Sequence, residues 1–415
     1  MSESQTIIIG GGIVGICAAY FLARRGAAVT LLEQGTIDDS ASTGNAGLIS
    51  IGHAPIPRPG LTLKALMWMF DPTSPIYIRP RLDLNLLRWF WGFRRACGRD
   101  RFKHNMDILA AHGWPAGQCV GQLVEEEKLD CDYHPIGQME AFRTEAGLKA
   151  GEEEAKMLRG YGYEAEVMDG DELRRREPAF RDDVLGAVLF TDRAFAHPGK
   201  LIAQMADRAR KHGARLHMQT EVAELLVVNG RCVGVLTKAG DRLEADAVVL
   251  AAGAWSPRLA RQVGLRIPME PAKGYHVDLT RPEPCLNVAC VMAERFVAVT
   301  PMGDCLRLAG TLELSGINRR IVQRRVDMLR RGARLYLHGI DEAPSGEPWC
   351  GLRPCIADGL PIVGWAGTVD RLFIATGHAM MGFGLGALAG RIACECVLAD
   401  EPSVDISGLR ADRFR

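Results

Sequence analysis

The sequence predicts an α/β fold in which a parallel-sheet domain is interrupted by a second, mainly antiparallel domain. Three observations support this class. A β-branched strand, a glycine-rich turn and a helix follow one another within residues 6–50. Segments with the same strand and helix character return at 198–260 and 345–400. The stretches between them must therefore fold as a separate, discontinuous unit.

Composition excludes several classes of protein. The chain has 415 residues, of which 47% are hydrophobic and 24% charged, the balance of a folded protein rather than a disordered one. Lys and Arg together number 50, as do Asp and Glu, so no net positive charge points to a nucleic-acid partner. The 12 cysteines show no spacing typical of a metal site. We interpret them as reduced thiols of a cytoplasmic protein that binds no metal.

The first apolar stretch, Thr6 to Ala23, is long enough to suggest a membrane span. Glycines interrupt it, no basic residue precedes it, and Arg24 and Arg25 follow it directly. A strand at 6–9, a tight turn and a helix fit this pattern better. We therefore expect no transmembrane helix.

Gly10, Gly12 and Gly15 form a G-x-G-x-x-G pattern between that strand and that helix. The first glycine makes the turn, the second lets the backbone approach a pyrophosphate, and the third lets helix and strand pack closely. The start of the helix, at Ile13 and Val14, offers free N–H groups and a positive dipole end to the phosphates. The pattern predicts a dinucleotide-binding domain.

An acidic residue follows the second predicted strand, Ala28 to Leu32, at the spacing that this pattern requires. The separation from Gly12 to Glu33 is 21 residues, close to the expected value of about 20. The Glu33 carboxylate would accept a hydrogen bond from a ribose 2′-hydroxyl and repel a 2′-phosphate, which disfavours NADP. Gln34, beside it, is a further candidate contact. These residues alone do not separate NAD from FAD.

The residues after the second strand depart from a plain NAD domain. A run of small residues, Ser42 to Ile49, stands where such a domain would continue into another helix. Small residues let the main chain lie against a flat ligand, although a flexible loop would have the same composition. With the fingerprint before it, this run resembles the D-amino acid oxidase/dehydrogenase superfamily of flavoproteins, above all the small subunit of the bacterial D-amino acid dehydrogenases. In that family a matching Ser-x-x-Asn-Ala-Gly stretch lies along the FAD pyrophosphate.

The resemblance extends over nearly the whole chain, through motifs in the family's order. Residues 349–354 and 358–364 resemble its G-x-R-P and D-G-x-P-x-x-G signature. Residues 247–255 resemble a strand that closes beside the cofactor, and residues 372–386 resemble a strand, a glycine turn and a helix. Thr220-Glu221-Val222 resembles the end of a strand whose valine contacts adenine through its backbone.

This resemblance implies an FAD-binding, Rossmann-like domain of the glutathione-reductase type and a second, α+β substrate domain built on a mainly antiparallel sheet. We expect the FAD to be non-covalent, because Cys350 stands one residue away from the position that carries the flavin in some sarcosine oxidases. The helix near Gly382 would stabilise the reduced cofactor through its free N–H groups, unless it only packs on the sheet. The expected cofactor contacts are Gly10, Gly12, Ile13, Val14, Gly15, Glu33, Gln34, Ser42, Thr43, Asn45, Ala46, Gly47, Leu48, Val222, Ala252, Gly253, Gly351, Gly377, Met381, Gly382, Phe383 and Gly384.

Arg353 is the expected substrate anchor. A guanidinium binds a carboxylate through two parallel hydrogen bonds, which lysine cannot reproduce. In the family the arginine of this motif binds the substrate α-carboxylate, whereas a random arginine more often joins a surface ion pair. Tyr275, in a Pro-x-Lys-Gly-Tyr motif, and His378, at the turn before the last helix, complete the expected catalytic set. A half-buried strand tyrosine and a helix-capping histidine are comparable interpretations of these two.

The resemblance implies oxidative deamination of a D-amino acid, or of a cyclic imino acid such as D-proline or hydroxyproline. The hydride would pass from Cα to flavin N5, and the electrons to a quinone or another acceptor in the respiratory chain. Two alternatives stay open: an oxidase that uses O2, like glycine or sarcosine oxidases, and a non-catalytic flavin-fold assembly factor or redox sensor. Arg353 argues against the last, because a scaffold has no need of a carboxylate-binding group.

Residues 61–103 are unusually rich in aromatic and basic side chains. A helix here would be apolar on most sides, so it is either buried, in the core or against a second copy of the chain, or it rests in a membrane interface. The resembled dehydrogenases are peripheral membrane enzymes, which makes this segment the candidate for contact with the inner face of the cell membrane. Its narrow polar stripe consists of Arg81, Asn85, Arg88, Gly92 and Arg95.

The substrate is expected between the two domains, over the carboxyl ends of the parallel strands. Residues 315–336 are predicted to form an arginine-rich surface helix within the substrate domain. The predicted boundaries are 1–80, 191–264 and 341–415 for the cofactor domain, and 81–190 and 265–340 for the substrate domain.

Overall fold

The computed structural model describes residues 5–61, 74 and 76–414. Two large sheets, one of six strands and one of nine, organise this part of the chain. The strands are β1 (Gln5–Ile9), β2 (Ala28–Leu32), β3 (Leu48–Ile49), β4 (Ile76–Ile78), β5 (Gln138–Phe142), β6 (Ala165–Asp169), β7 (Gly186–Phe190), β8 (Ala194–Phe195), β9 (Arg215–His217), β10 (Val222–Val228), β11 (Arg231–Thr237), β12 (Arg242–Glu244), β13 (Ala247–Leu250), β14 (Met269–Thr280), β15 (Cys290–Met292), β16 (Val297–Met302), β17 (Cys305–Leu314), β18 (Trp349–Ile356), β19 (Ile362–Trp365) and β20 (Leu372–Thr376). The helices are α1 (Ile13–Arg24), α2 (Leu84–Ala96), α3 (Arg99–Glu126), α4 (Glu145–Arg159), α5 (Gly170–Arg176), α6 (Pro198–Lys211), α7 (Ser256–Gln262), α8 (Gln323–Ala333) and α9 (Gly382–Val397).

The six-stranded sheet has the order β19-β20-β13-β1-β2-β9 and is parallel except for the edge strand β19. Its strands are apolar on both faces because both are covered. One face packs against α1 and α9, and the other shares a core with β10, β11 and α7. Helices α1 and α9 pack together on one face through glycines. A Cβ atom added to Gly390 would lie 2.7 Å from the Ala18 nitrogen, so glycine is required where the two helices touch. The carboxyl ends of the parallel strands meet at one edge, which faces the second sheet.

The nine-stranded sheet has the order β18-β14-β17-β16-β15-β5-β7-β6, with β4 paired to β17. Most neighbours are antiparallel, which confirms the α/β class with a mainly antiparallel second unit. Strand β14 shows how the sheet separates its two faces. Tyr275 and Val277 point into a core that includes Leu329 of α8, whereas Gly274 and His276 face the six-stranded sheet.

The predicted helix over 315–336 is wrong in its extent, since only Gln323–Ala333 is helical. The cause lies in Asn318, whose side-chain amide donates to the Ser315 carbonyl at 3.0 Å while its oxygen accepts from the Lys273 ammonium at 2.8 Å. Such side-chain bonds to nearby backbone compete with the helical ladder and hold residues before Gln323 as a loop.

Three strands lie elsewhere than the sequence predicts. Val222 begins β10 instead of ending a strand. Strand β18 and the short strand β4 belong to the nine-stranded sheet, although both fall in ranges predicted for the cofactor domain. The predicted domain boundaries otherwise stay a prediction.

Helix α2 buries one face only. The expectation that its apolar residues are buried on most sides therefore holds for that face alone. Leu86 and Phe93 are buried, and the Trp89 indole nitrogen donates to the Cys355 carbonyl at 2.8 Å. Leu84 and Trp91 stay exposed, as does Leu87, and what covers that face stays a prediction. Other aromatic residues of the segment, among them Trp68 and Phe70, lie outside the described residues. No helix in the described ranges combines the length and apolar character that crossing a membrane requires.

Candidate active site

A cavity of about 760 Å³ lies between the two sheets. The carboxyl ends of β1, β2, β13 and β20 line one side, together with the small-residue segment 42–50. The inner face of the nine-stranded sheet lines the other. The cavity is thus where the sequence predicts a ligand, at the edge to which the parallel strands point.

The glycine turn after β1 forms one end of the cavity. A Cβ atom on Gly10 would lie 2.4 Å from the Ala251 oxygen, and one on Gly15 would lie 1.9 Å from the Gly10 oxygen. Gly12 is the N-cap residue of helix α1 and has no side chain with which to cap it. The first turn of the helix therefore opens towards the cavity. Gly10, Gly12, Ile13 and Val14 line the cavity, whereas Gly15 lies behind its wall. Gly15 therefore acts through helix–strand packing, as its position in the fingerprint predicts.

Glu33 fixes the turn from the end of β2. One carboxylate oxygen accepts from the Gly11 nitrogen at 2.6 Å, and the other accepts from the Gly35 nitrogen at 2.8 Å. The side chain and the neighbouring Gln34 both line the cavity. A carboxylate held by two backbone amides still has lone pairs for a ribose hydroxyl.

The segment after β2 crosses the cavity wall. Ser42 accepts a hydrogen bond from the Ile13 nitrogen at 3.1 Å and so ties the segment to the start of α1. Ser42, Asn45, Ala46 and Leu48 line the cavity. Thr43 and Gly47 do not. The Thr43 hydroxyl donates to the Ser40 carbonyl at 2.9 Å, and Gly47 packs against the Ala196 oxygen. These two residues shape the segment from behind.

A second helix amino terminus opens into the same cavity. Gly377, Met381, Gly382 and Phe383 line it before and at the start of α9, and Met381 provides no side-chain cap. Gly384 does not, because it packs against the backbone of Ile49. Gly386 of the same helix also faces protein: a Cβ on it would lie 2.6 Å from the Ile13 side chain, so this glycine serves the packing of α9 on α1. Val222, Ala252, Gly253 and Gly351 also line the cavity.

These residues fit FAD. Two helix amino termini whose own N-cap residues make no side-chain hydrogen bond face one cavity, and such termini favour phosphate groups or developing negative charge. Gly12, Ile13 and Val14 would hold the pyrophosphate, Glu33 the ribose, and the start of α9 the electron-rich edge of the ring.

Arg353 lies on the cavity face of β18, opposite Ala272 of β14. Its guanidinium lies over Gly274, where an added Cβ atom would stand only 1.8 Å from Nη1. Nη1 donates to the Thr311 carbonyl at 2.9 Å, and burial lowers the pKa of the side chain. Among the described residues no carboxylate pairs with it. An arginine with unused donors therefore faces the cavity from deep inside the protein.

His378 also lines the cavity, and it pairs with the strand that carries Arg353. Its backbone forms an isolated antiparallel β-bridge with Cys355, and the Ala379 nitrogen donates to the Pro354 carbonyl at 3.1 Å. Burial lowers the pKa of His378 to about 4, so the ring is neutral at neutral pH. Its Nε2 atom is buried and has no hydrogen-bond partner within the described part of the chain. The structure thus places His378 in the predicted site with an unused polar atom.

Tyr275 is not available in the way that the sequence suggests. Its hydroxyl donates to Glu313 at 2.7 Å, and Lys273 completes this buried cluster with its ammonium 3.2 Å from the same carboxylate. Burial and the Glu313 carboxylate raise the pKa of the Tyr275 hydroxyl. Tyr275 itself lines the cavity, but its hydroxyl bonds within the sheet, so a contact between this hydroxyl and substrate stays a prediction. The thiol of Cys350 likewise donates to the Arg319 carbonyl, at 3.1 Å.

Sequence reasoning missed the residues that support the site. Gly274 makes room for the guanidinium, and its signal was present as the glycine of the Pro-x-Lys-Gly-Tyr motif. Trp349 stacks on His276 with ring centroids 5.0 Å apart, and the His276 Nδ1 donates to the Gly44 carbonyl over 2.7 Å. A Cβ on Gly44 would lie 2.3 Å from the Trp349 ring. This stack holds the segment 42–50, through Gly44, against the nine-stranded sheet. The contact could not be predicted without knowing that β14 pairs with β18.

Comparisons with known proteins agree with this geometry. The family described as DAO, FAD dependent oxidoreductase, matches residues 5–396. The chain is 33% identical to a D-amino acid dehydrogenase of Sinorhizobium medicae, over 99% of this chain and 100% of that protein. It is 32% identical to one of Cereibacter sphaeroides, over 99% and 95%. Among solved structures, glycine oxidase from Geobacillus kaustophilus superposes with a TM-score of 0.76 at 24% identity, covering 99% of both chains. L-proline dehydrogenase from P. horikoshii has a TM-score of 0.75 at 18% identity, covering 99% of this chain and 98% of that one.

Proposed function

Because this chain belongs to the DAO family of FAD-dependent oxidoreductases, we propose that it oxidises the carbon–nitrogen bond of a D-amino acid, or of a cyclic imino acid such as D-proline or hydroxyproline. Electrons then pass to a quinone or another acceptor that is not O2. Relatives named D-amino acid dehydrogenase, similar to this chain along its whole length, support the substrate class and the acceptor.

The observation that carries this proposal is that the Arg353 guanidinium faces the cavity and has no carboxylate partner among the described residues. The guanidinium is charged at any physiological pH. Burying such a charge is costly unless an anion pairs with it. A substrate α-carboxylate supplies that anion in two parallel hydrogen bonds, so the cavity is complementary to an amino acid rather than to a simple amine.

The other cavity groups have roles that need no strong base. Bound FAD accepts two electrons as a hydride, so the chain has to hold the substrate and stabilise charge. Arg353 holds and orients the carboxylate. Neutral His378 lines the same cavity, and its buried Nε2 has no hydrogen-bond partner among the described residues. The first turn of α9 stabilises negative charge at its amino end.

The test is anaerobic mixing of the FAD-loaded protein with D-alanine, D-proline and their L-enantiomers. We expect the visible flavin absorption to bleach with a D-compound and not with its L-enantiomer. A soluble quinone analogue should restore the colour, whereas air should do so slowly. Rapid reoxidation in air with release of peroxide would show an oxidase instead. Bleaching by L-enantiomers alone, or by none of the compounds, would overturn the proposed substrate class.

A further inference from the structure

We infer that the substrate side chain lies on a bed of mostly apolar residues on the nine-stranded sheet, small along one row, so that the enzyme favours substrates with large uncharged side chains. This inference rests on the proposed function, because it takes the α-carboxylate to be held by Arg353. It goes further by assigning the side-chain pocket and the residues that set its size.

The register of the sheet places three small residues in one row. Ala309 of β17 pairs with Ala298 of β16, which pairs with Val291 of β15. Ala309 also pairs with His276 of β14. Directly paired residues point to the same face of a sheet, and the His276 ring bonds to the carbonyl of Gly44, which itself lines the cavity. The whole row therefore faces the cavity, and its three small members line it.

A second row lies beside the first, next to the guanidinium. It begins at Thr311, whose carbonyl accepts the hydrogen bond from Arg353. From there it continues past the ends of β16 and β15, through the residues just outside these two strands, to the last residue of β5. Adjacent strands are about 4.8 Å apart, so from β14 to β15 the bed extends about 14 Å from the carboxylate anchor, ample for an aromatic side chain. The members of this row that line the cavity are Thr311, Phe296, Ala293 and Phe142.

Charges near the bed are already satisfied, which disfavours a charged substrate side chain. Such a side chain would lose its hydration, and the carboxylates that the structure describes around the bed already have partners. His53, also in the cavity wall, has its pKa lowered to about 4 by burial and is neutral. The nearby carboxylates have partners as follows: Glu140 with Arg193 at 3.1 Å, Glu154 with Arg58 at 3.6 Å, and Glu294 with the Arg143 nitrogen at 3.0 Å and the Tyr336 hydroxyl.

Binding of two non-reacting carboxylates to the FAD-loaded protein tests the inference without any variant. Calorimetry should show phenylacetate binding at least about tenfold more tightly than acetate, because only the aromatic ring buries apolar surface on the bed. Equal affinities would overturn the side-chain pocket and leave the proposed function standing. If neither carboxylate binds, the anchor at Arg353 fails, and the proposed function fails with it.

Substitution of one bed residue locates the pocket. Ala298→Leu adds a larger side chain in the middle of the first row, between Ala309 and Val291. We expect the ratio of kcat/KM for D-leucine to kcat/KM for D-alanine to fall about tenfold. Phenylacetate affinity should fall by a similar factor. Ala223→Leu is the matched control, because Ala223 is half-buried on β10 and does not line the cavity. An unchanged ratio in Ala298→Leu, with FAD still bound, would overturn the assignment.

Discussion

Replacement of Arg353 by lysine removes the fork of donors and keeps the positive charge. The guanidinium lies over Gly274, with Nη1 bonded to the Thr311 carbonyl, so its remaining N–H groups are the ones available for a carboxylate. A lysine ammonium is a compact point charge and cannot make the two parallel bonds. Arg353→Lys therefore tests geometry separately from charge.

The expected size of the effect follows from the burial of the site. A hydrogen bond between charged groups contributes about 1.5–3 kcal/mol, and a buried carboxylate that loses one of two such bonds loses about that much. Each 1.36 kcal/mol is tenfold in rate, so kcat/KM for a D-amino acid should fall about 10- to 150-fold. Most of the change should appear in KM, because the carboxylate is held in the ground state as well as in the transition state.

Steady-state kinetics with a quinone analogue measure the effect, and a substrate amide provides the chemical control. D-Alaninamide lacks the carboxylate, so Arg353→Lys should leave its kcat/KM within about twofold of that of the unmodified protein. Arg210→Lys, in an exposed ion pair with Asp207, controls for an arginine-to-lysine change elsewhere. Equal losses for D-alanine and its amide, with FAD retained, would refute a carboxylate clamp at Arg353.

Three further predictions concern the surroundings of this clamp. Gly274→Ala places a methyl group 1.8 Å from Arg353 Nη1, so KM for D-alanine should rise at least about tenfold with FAD still bound; an unchanged KM would show that the guanidinium does not need this space. Glu33→Ala removes the acceptor of the Gly11 and Gly35 amides, and fluorescence titration of the apoprotein should show FAD affinity at least about tenfold lower, whereas unchanged affinity contradicts the assigned ribose contact. His276 and His378 have pKa values lowered from 6.5 to about 4 by burial, so between these pH values the unfolded chain binds more protons than the folded one. Stability should be fully present above pH 6.5 and fall as pH drops towards 4, by about 3 kcal/mol for each histidine; melting temperatures that stay flat over this range contradict buried neutral rings.

Local patterns predicted much of the cofactor side because its elements are contiguous. The turn at Gly10, Gly12 and Gly15, and Glu33 after the second strand, follow from spacing along a strand, a turn and a helix. The structure places each of them where the pattern requires. Thr43, Gly47 and Gly384 were assigned to the cavity because small residues suggest close approach, but that signal does not tell which neighbour approaches. In these three cases the neighbour is the protein itself.

The substrate side was harder to predict because strand pairing creates it. Tyr275 and Gly274 are adjacent in sequence, yet the alternation of side chains along β14 sends the tyrosine to Glu313 and leaves the glycine under Arg353. Without knowing how β14 pairs with β18, the Tyr275 hydroxyl is a more plausible substrate contact than the neighbouring Gly274. The bed formed by Ala298 and Ala309 has no sequence signal, since isolated alanines in strands are ordinary core residues.

A crystal structure of the FAD-loaded protein with bound phenylacetate tests the central claim most directly. We expect the carboxylate oxygens to lie within about 3 Å of the Arg353 guanidinium nitrogens, beside the flavin ring. A carboxylate held by other residues, with the Arg353 guanidinium bonded only to protein groups or turned away from the ring, would contradict it.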